Sequence, residues 1–245
     1  MEAAIRTIEL TKSYRNKLAV KALNLTVDQG ELFALLGVNG AGKTSTIKML
    51  TCLSRPTSGD ALILGNSVVS APRAVKTILN VSPQETAVAR QLSVRENLEF
   101  VAQVYGGSAA AARTAAGERL AQFGLTDVSA QRAGQLSGGQ QRRLSIAMAL
   151  ISNPRILFLD EPTLGLDVLA RRELWAAINE LKGRVTIVLT THYMEEAESL
   201  ADRIGIMAQG ELKAVGTAAQ LMVATGTDTL EDAFVGYASE TRRSS

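Results

Sequence analysis

The chain is poor in the residues that many binding chemistries need. It has one cysteine, Cys52, so no internal disulfide can form, and a reducing interior suits it. It has one histidine, His192. Five phenylalanines, four tyrosines and one tryptophan are its only aromatics, and the net charge is +2; together these give no nucleic-acid footprint. No apolar run approaches the length of a membrane-spanning helix. The opening Met1-Glu-Ala-Ala-Ile-Arg6 lacks the basic-then-apolar order of a signal peptide. Internal repeats are absent, and compositional bias is confined to the alanine run at 109–116. What remains is 245 residues at 46% hydrophobic content, enough for a substantial core, and the expectation is a soluble cytoplasmic α/β protein.

The most informative stretch is Gly37-Val-Asn39-Gly40-Ala41-Gly42-Lys43-Thr44-Ser45, which contains G-x-x-x-x-G-K-[ST] without departure. Leu32–Leu36 before it is an apolar run of strand length, and Thr46–Leu50 after it can continue as helix. This strand–loop–helix setting is what the motif needs to act as a phosphate cradle. Gly37, Gly40 and Gly42 are expected to take positive φ and bring backbone N–H groups close to phosphate oxygens, at the positive end of the helix dipole. Lys43 offers a mobile cation and Thr44 a hydroxyl for Mg²⁺.

Around this loop the chain alternates in character. Residues 5–10 and 19–27 alternate apolar and polar without an intervening helix, which implies an antiparallel sheet beside a parallel core. Strands are expected at 60–65, 78–82, 155–160, 185–190, 203–207 and 211–215. From Leu92 to about Ser152 the periodicity is helical. Ser93 and Glu96 form a capping box, a second helix covers 109–123, and a third starts near Ser137. A helix is expected at about 168–181. Another carries Glu195, Glu196 and Glu198 in its first turns, where the dipole favours anions. Two short helices close the chain. The core is then 1–84 and 153–237, the helical insertion about 85–152, and 238–245 a disordered tail.

Asp160 and Glu161 end an apolar strand, where two acids are costly unless a cation or hydrogen bonds satisfy them. Beside Lys43, Asp160 suits Mg²⁺ and Glu161 suits a base for attacking water. Ser137-Gly138-Gly139-Gln140 could be a plain helix start, since Ser137 and Gln140 have capping-box spacing. Two glycines in a first turn, followed by Arg142 and Arg143, weaken such a helix. An exposed start offering bare N–H groups and positive charge to an anion explains both. His192 follows a buried strand, at the edge where α/β ligand sites lie. Gln84 ends another core strand, within reach of metal or water. Tyr14, upstream of the phosphate loop, could stack on a base.

Taken together these residues closely resemble the nucleotide-binding domain of ABC transporters, in motif order and over nearly the whole chain. Walker A is Gly37–Thr44, the Q-loop Gln84, the signature Leu136–Gln140, Walker B Ile156–Asp160 with Glu161 as catalytic glutamate, the D-loop Gly165-Leu-Asp167, and the switch histidine His192. The D-loop departs in reading Leu-Gly-Leu-Asp where many members have Ser-Ala-Leu-Asp. The resemblance implies a P-loop NTPase core with mixed sheet, an N-terminal antiparallel β-subdomain and an inserted helical subdomain. It implies ATP and Mg²⁺ as ligands, with metal contacts from Thr44, Gln84 and Asp160 and catalytic roles for Lys43, Gln84, Glu161 and His192. Nucleotide contacts are implied for Tyr14, Gly37, Asn39, Gly40, Ala41, Gly42, Lys43, Thr44 and Ser45. Ser137, Gly138, Gly139 and Gln140 would complete a partner's site in a head-to-tail dimer, a homodimer by preference. A separate membrane permease would hold the chain at the cytoplasmic face of the cell membrane, with no nucleic-acid partner. The stretches 92–97, 165–172 and 229–234 are similar to the drug, lipid, polysaccharide and ion exporters. The alternatives are a soluble ABC ATPase of an assembly process, such as iron–sulfur scaffold work, and a nucleotide-binding regulatory module without turnover. Intact Glu161 and His192 oppose the second.

Overall fold

The computed structural model describes residues 2–15 and 17–239. Two sheets and a helical block form it. The strand β1 (Ala3–Tyr14) is longer than the alternation at 5–10 predicts, because it is paired along both edges. The strand β5 (Ser58–Ile63) runs antiparallel on one side. The other edge is shared by β2 (Lys17–Leu23) and β3 (Thr26–Asp28), so the single strand expected at 19–27 is broken at Asn24 and Leu25. The buried hydroxyl of Thr7 fills that break. It donates to the Leu23 carbonyl at 2.7 Å and accepts from the Leu25 amide at 2.7 Å. Buried main-chain groups left without ladder partners need such a substitute. A short β6 (Asn66–Ser67) completes this antiparallel sheet.

The second sheet has six strands in the order β11, β10, β4, β9, β8, β7. These are β4 (Leu32–Leu36), β7 (Leu79–Ser82), β8 (Ile156–Asp160), β9 (Thr186–Thr191), β10 (Arg203–Ala208) and β11 (Glu211–Gly216). All neighbours are parallel except the β10–β11 hairpin, so the sheet is mixed. The central strands read as unbroken apolar runs because both faces are covered. Leu32, Ala34 and Leu36 face one apolar cluster, with Leu157, Leu159, Ile187 and Leu189. Phe33 and Leu35 face the other, with Ile156, Phe158 and Val188.

Helices cover these faces. On the second cluster lie α1 (Lys43–Leu50), the first sheet and α2 (Pro72–Ile78), a helix the strand expectation at 78–82 overlooked. On the first lie α3 (Val94–Val104), α4 (Ala109–Gln122), α5 (Gly138–Leu150), α6 (Val168–Asn179) and α7 (Met194–Leu200). Ser93 and Glu96 form the expected capping box of α3. The helical block shares one apolar cluster with the sheet, through Leu144, Ile146 and Ala147 of α5. The chain closes with α8 (Ala218–Thr225) and α9 (Leu230–Ser239). Helix α9 runs two residues into the stretch expected as a tail; 240–245 lie outside the described residues.

Candidate functional site

Strand order and register assemble the site. In the parallel sheet Leu36 of β4 lies opposite Thr191 of β9, Thr190 of β9 opposite Asp160 of β8, and Leu159 of β8 opposite Ser82 of β7. All four strands therefore end at one edge, and the residues that follow them gather there: Gly37, His192, Glu161 and Gln84. This is the carboxyl edge where α/β proteins bind ligands.

A cleft of about 440 Å³ opens at this edge. Its walls include Asn39, Gly40, Gly42, Lys43, Thr44 and Ser45 of the phosphate loop, with Gln84, Glu161 and His192. Tyr14, 42% exposed, stands at its rim with Lys17, Ala19 and Leu164. Gly40 and Gly42 take the expected positive φ, at 83° and 109°. Gly37 does not; its reason is contact. A Cβ there would lie 2.4 Å from the Met207 carbonyl of β10, so the loop leaves β4 only because no side chain stands in the way. Gly37 and Ala41 sit behind the lining, and the Ala41 amide donates to the Val38 carbonyl at 3.1 Å. Buried Lys43 donates to the Gly37 carbonyl at 2.7 Å and lies 3.6 Å from Glu161 Oε1. Burial pushes its ammonium below the ordinary lysine value, and Glu161 offsets part of that.

The two acids behave differently. Asp160 is held in place, accepting the hydroxyl hydrogen of Thr190 and, at 3.4 Å, that of Thr44. Glu161 has φ 46°, a left-handed conformation that costs a non-glycine residue about 1–3 kcal/mol. Its amide donates to both the carbonyl and the hydroxyl of Thr190, each at 3.1 Å, which holds the strained turn. The turn aims its carboxylate into the cleft, 3.4 Å from His192 Nδ1. The two atoms stand in close approach without a directed hydrogen bond, and Nδ1 has no hydrogen-bond partner. Among the described residues no three His, Cys, Asp or Glu side chains cluster as a metal site. The paired hydroxyl and carboxylate of Thr44 and Asp160 nevertheless fit one hard cation, whose remaining ligands would be phosphate and water oxygens.

The signature residues stand apart from this cleft. Ser137, exposed, caps α5 in a full capping box with Gln140. The Gly138 and Gly139 amides, in the first turn, have no intrahelical acceptor. Here the sequence expectation needs correction. Arg142 and Arg143 do not present charge to an anion at the helix start. Arg142 is buried, its guanidinium donating to the carbonyls of Pro83, Gln84, Asp160 and Pro162. Desolvation brings its pKa down to about 10, so it stays charged at neutral pH. Arg143 pairs with Glu173 at 3.3 Å. Asp167 caps α6, accepting from the Ala170 amide. Glu196, read as a dipole partner of α7, is fully buried and accepts from Trp175 Nε1 at 3.2 Å.

Sequence reasoning missed Lys17, which carries no local signal, and Thr190. A hydroxyl near the end of a buried strand must find a partner, but naming Asp160 as that partner requires the strand order.

A glycine-rich loop at a helix start, a lysine, and two acids at the end of a neighbouring buried strand define a P-loop nucleotide-binding protein. The family model described as "ABC transporter" matches residues 20–164. The chain belongs to the ABC transporter family. It is 40% identical over 231 residues to a daunorubicin resistance ATP-binding protein of Streptomyces coeruleorubidus, covering 94% of this chain and 73% of that protein. It is 45% identical over 211 residues to ABC transporter A family member 11 of Arabidopsis thaliana, covering 85% of this chain but only 22% of that much longer protein. An ATP-binding subunit of an ABC transporter superposes with a TM-score of 0.84 at 29% identity, over 96% of this chain and 99% of its own. A dimeric post-hydrolysis state of an ATP-binding cassette, bound to ADP and phosphate, gives 0.78 at 28% identity, over 87% and 98%.

Proposed function

We propose that this chain is the ATP-binding and hydrolysing subunit of an exporter, working as a head-to-tail dimer on a separate membrane permease at the cytoplasmic face of the membrane. The observation that carries the reading is Glu161, strained into the cleft between Lys43 and His192. Lys43 and the phosphate-loop amides hold the β- and γ-phosphates, and Tyr14 stacks on the base. Thr44 and Asp160, with Gln84 of the same cleft wall as Thr44, would hold Mg²⁺, which would supply charge neutralisation of the phosphates when bound. Glu161 takes a proton from a water that attacks the γ-phosphorus as the bond to ADP breaks. His192, against Glu161, orients that carboxylate and the γ-phosphate.

The placement of the signature supports the dimer. Ser137 and its free amides do not line their own chain's cleft, so a second chain's nucleotide is the anion they suit. For the permease, Phe100, Val104 and Tyr105 form an exposed apolar stripe on and after α3, where the Tyr105 hydroxyl accepts from Asn80 of β7 at 3.1 Å, on the strand that leads to Gln84. No helix among the described residues is long and apolar enough to cross a membrane. The similarity to drug-resistance ATP-binding proteins favours export.

Glu161→Gln tests the core of this reading. The variant should bind ATP, accumulate as an ATP-dependent dimer on size exclusion, and release almost no phosphate. Turnover at the parent rate would remove the general-base role.

A further inference from the structure

Arg142 lies five residues beyond Ser137 in α5 and is 4% exposed. Its guanidinium reaches two separate stretches. Nε donates to Pro162 at 2.8 Å and Nη2 to Asp160 at 2.9 Å; Nη1 donates to Gln84 at 3.2 Å and to Pro83. Every one of these acceptors is a main-chain carbonyl rather than a carboxylate. Four carbonyl dipoles replace the water that a buried guanidinium would otherwise lose.

The choice of acceptors is informative. The carbonyls belong to the ends of β7 and β8, at or next to the two residues that carry cleft chemistry, Gln84 and Glu161. A salt bridge to one acid would anchor α5 as well, but it would grip one point. The planar fork grips both loops at once, which a lysine with its single ammonium cannot do. Ser137 is locked to the same helix by its capping box, and α5 is packed through Leu144, Ile146 and Ala147. Signature, Arg142 and the two loop ends are therefore one mechanical unit.

We propose that Arg142 is a positioning residue for hydrolysis, transmitting the docking of Ser137 against a second chain's nucleotide to Gln84 and Glu161 of its own chain. This rests on the head-to-tail reading above. When the signature is drawn onto the partner's phosphates, the shift of α5 pulls Pro83, Gln84, Asp160 and Pro162 with it. The base at Glu161 reaches its working position only in the closed dimer. Misplacement of a catalytic group by about 1 Å can cost about a hundredfold in rate, so a small shift is enough.

The test uses the full chain. Arg142→Met keeps the length and packing of the stem and removes the fork. Arg142→Lys keeps the charge and guards against a methionine variant that does not fold. Arg119→Met is the control: Arg119 also clamps a helical-block carbonyl, Leu150 at 3.1 Å, and neither residue lines the cleft. Both Arg142 variants should bind fluorescent ATP as monomers within about twofold of the parent, while kcat falls at least about tenfold with KM little changed, the signature of a lost transition-state interaction. Lysine should fall less than methionine, and the Arg119 control should keep the parent kcat. Parent-like kcat in both Arg142 variants overturns the proposal. So does parallel loss of monomer ATP binding, which marks a merely structural tie. Failure of Glu161→Gln to dimerise with ATP would instead sink the head-to-tail reading itself.

Discussion

Replacing Thr190 by valine isolates one contact at the centre of the site. The Thr190 side chain is fully buried and its hydroxyl donates to Asp160 while accepting from the Glu161 amide. Valine is close in shape, so the change removes a polar group without opening a cavity. The Glu161 amide keeps its second acceptor, the Thr190 carbonyl. The loss is therefore dominated by one hydrogen bond to a charged group, about 1.5–3 kcal/mol. For a chain of this size that corresponds to roughly 3–12 °C in Tm. Thr186→Val on the same strand is the comparison. Its hydroxyl accepts only from the Gly30 amide, at 2.9 Å, so the loss is a neutral bond of about 1 kcal/mol. Urea unfolding followed by the fluorescence of Trp175, the sole tryptophan, measures both. Thr190→Val should also slow phosphate release, because Asp160 and the Glu161 turn lose a common anchor; Thr186→Val should not. Equal stability losses in the two variants would refute the charged-acceptor reasoning.

Two further outcomes are expected. Ser137→Arg places a bulky cation at an exposed signature position; it should abolish hydrolysis yet leave ATP binding to the monomer nearly intact, and loss of monomer binding would place the signature at its own chain's nucleotide instead. Glu196 has its pKa raised above the ordinary 4.5, chiefly by burial, so the folded state holds that proton more tightly than the unfolded chain. Stability from this group is complete below the unfolded pKa and is lost as pH rises through the raised folded value. Tm of the parent should therefore decline over that window relative to Glu196→Gln, whose side-chain oxygen can still accept from Trp175; parallel Tm profiles would contradict a raised pKa.

Much of the protein is legible in its residues because the relevant forces act over a few positions. The phosphate loop, the capping boxes at Ser93 and Ser137, and the apolar runs of β4, β8 and β9 depend on neighbours within a turn or a strand. So the strand–loop–helix unit and the helical insertion are visible without coordinates. Other features depend on which strand lies beside which. The sequence names Asp160, Glu161, His192 and Gln84 as candidates, but only the order β4, β9, β8, β7 and its register make them one site. The role of Gly37 likewise comes from β10, a strand distant in sequence, whose carbonyl leaves no room for a Cβ. Arg142 shows the division most clearly. By position it is an unfavourable cation near a helix start; buried among four carbonyls from two loops, it becomes a clamp. Local patterns specify elements because hydrogen bonding and dipoles are short-ranged. Burial and long-range contact decide what each charged side chain does, because its solvation is set by whatever the fold packs around it.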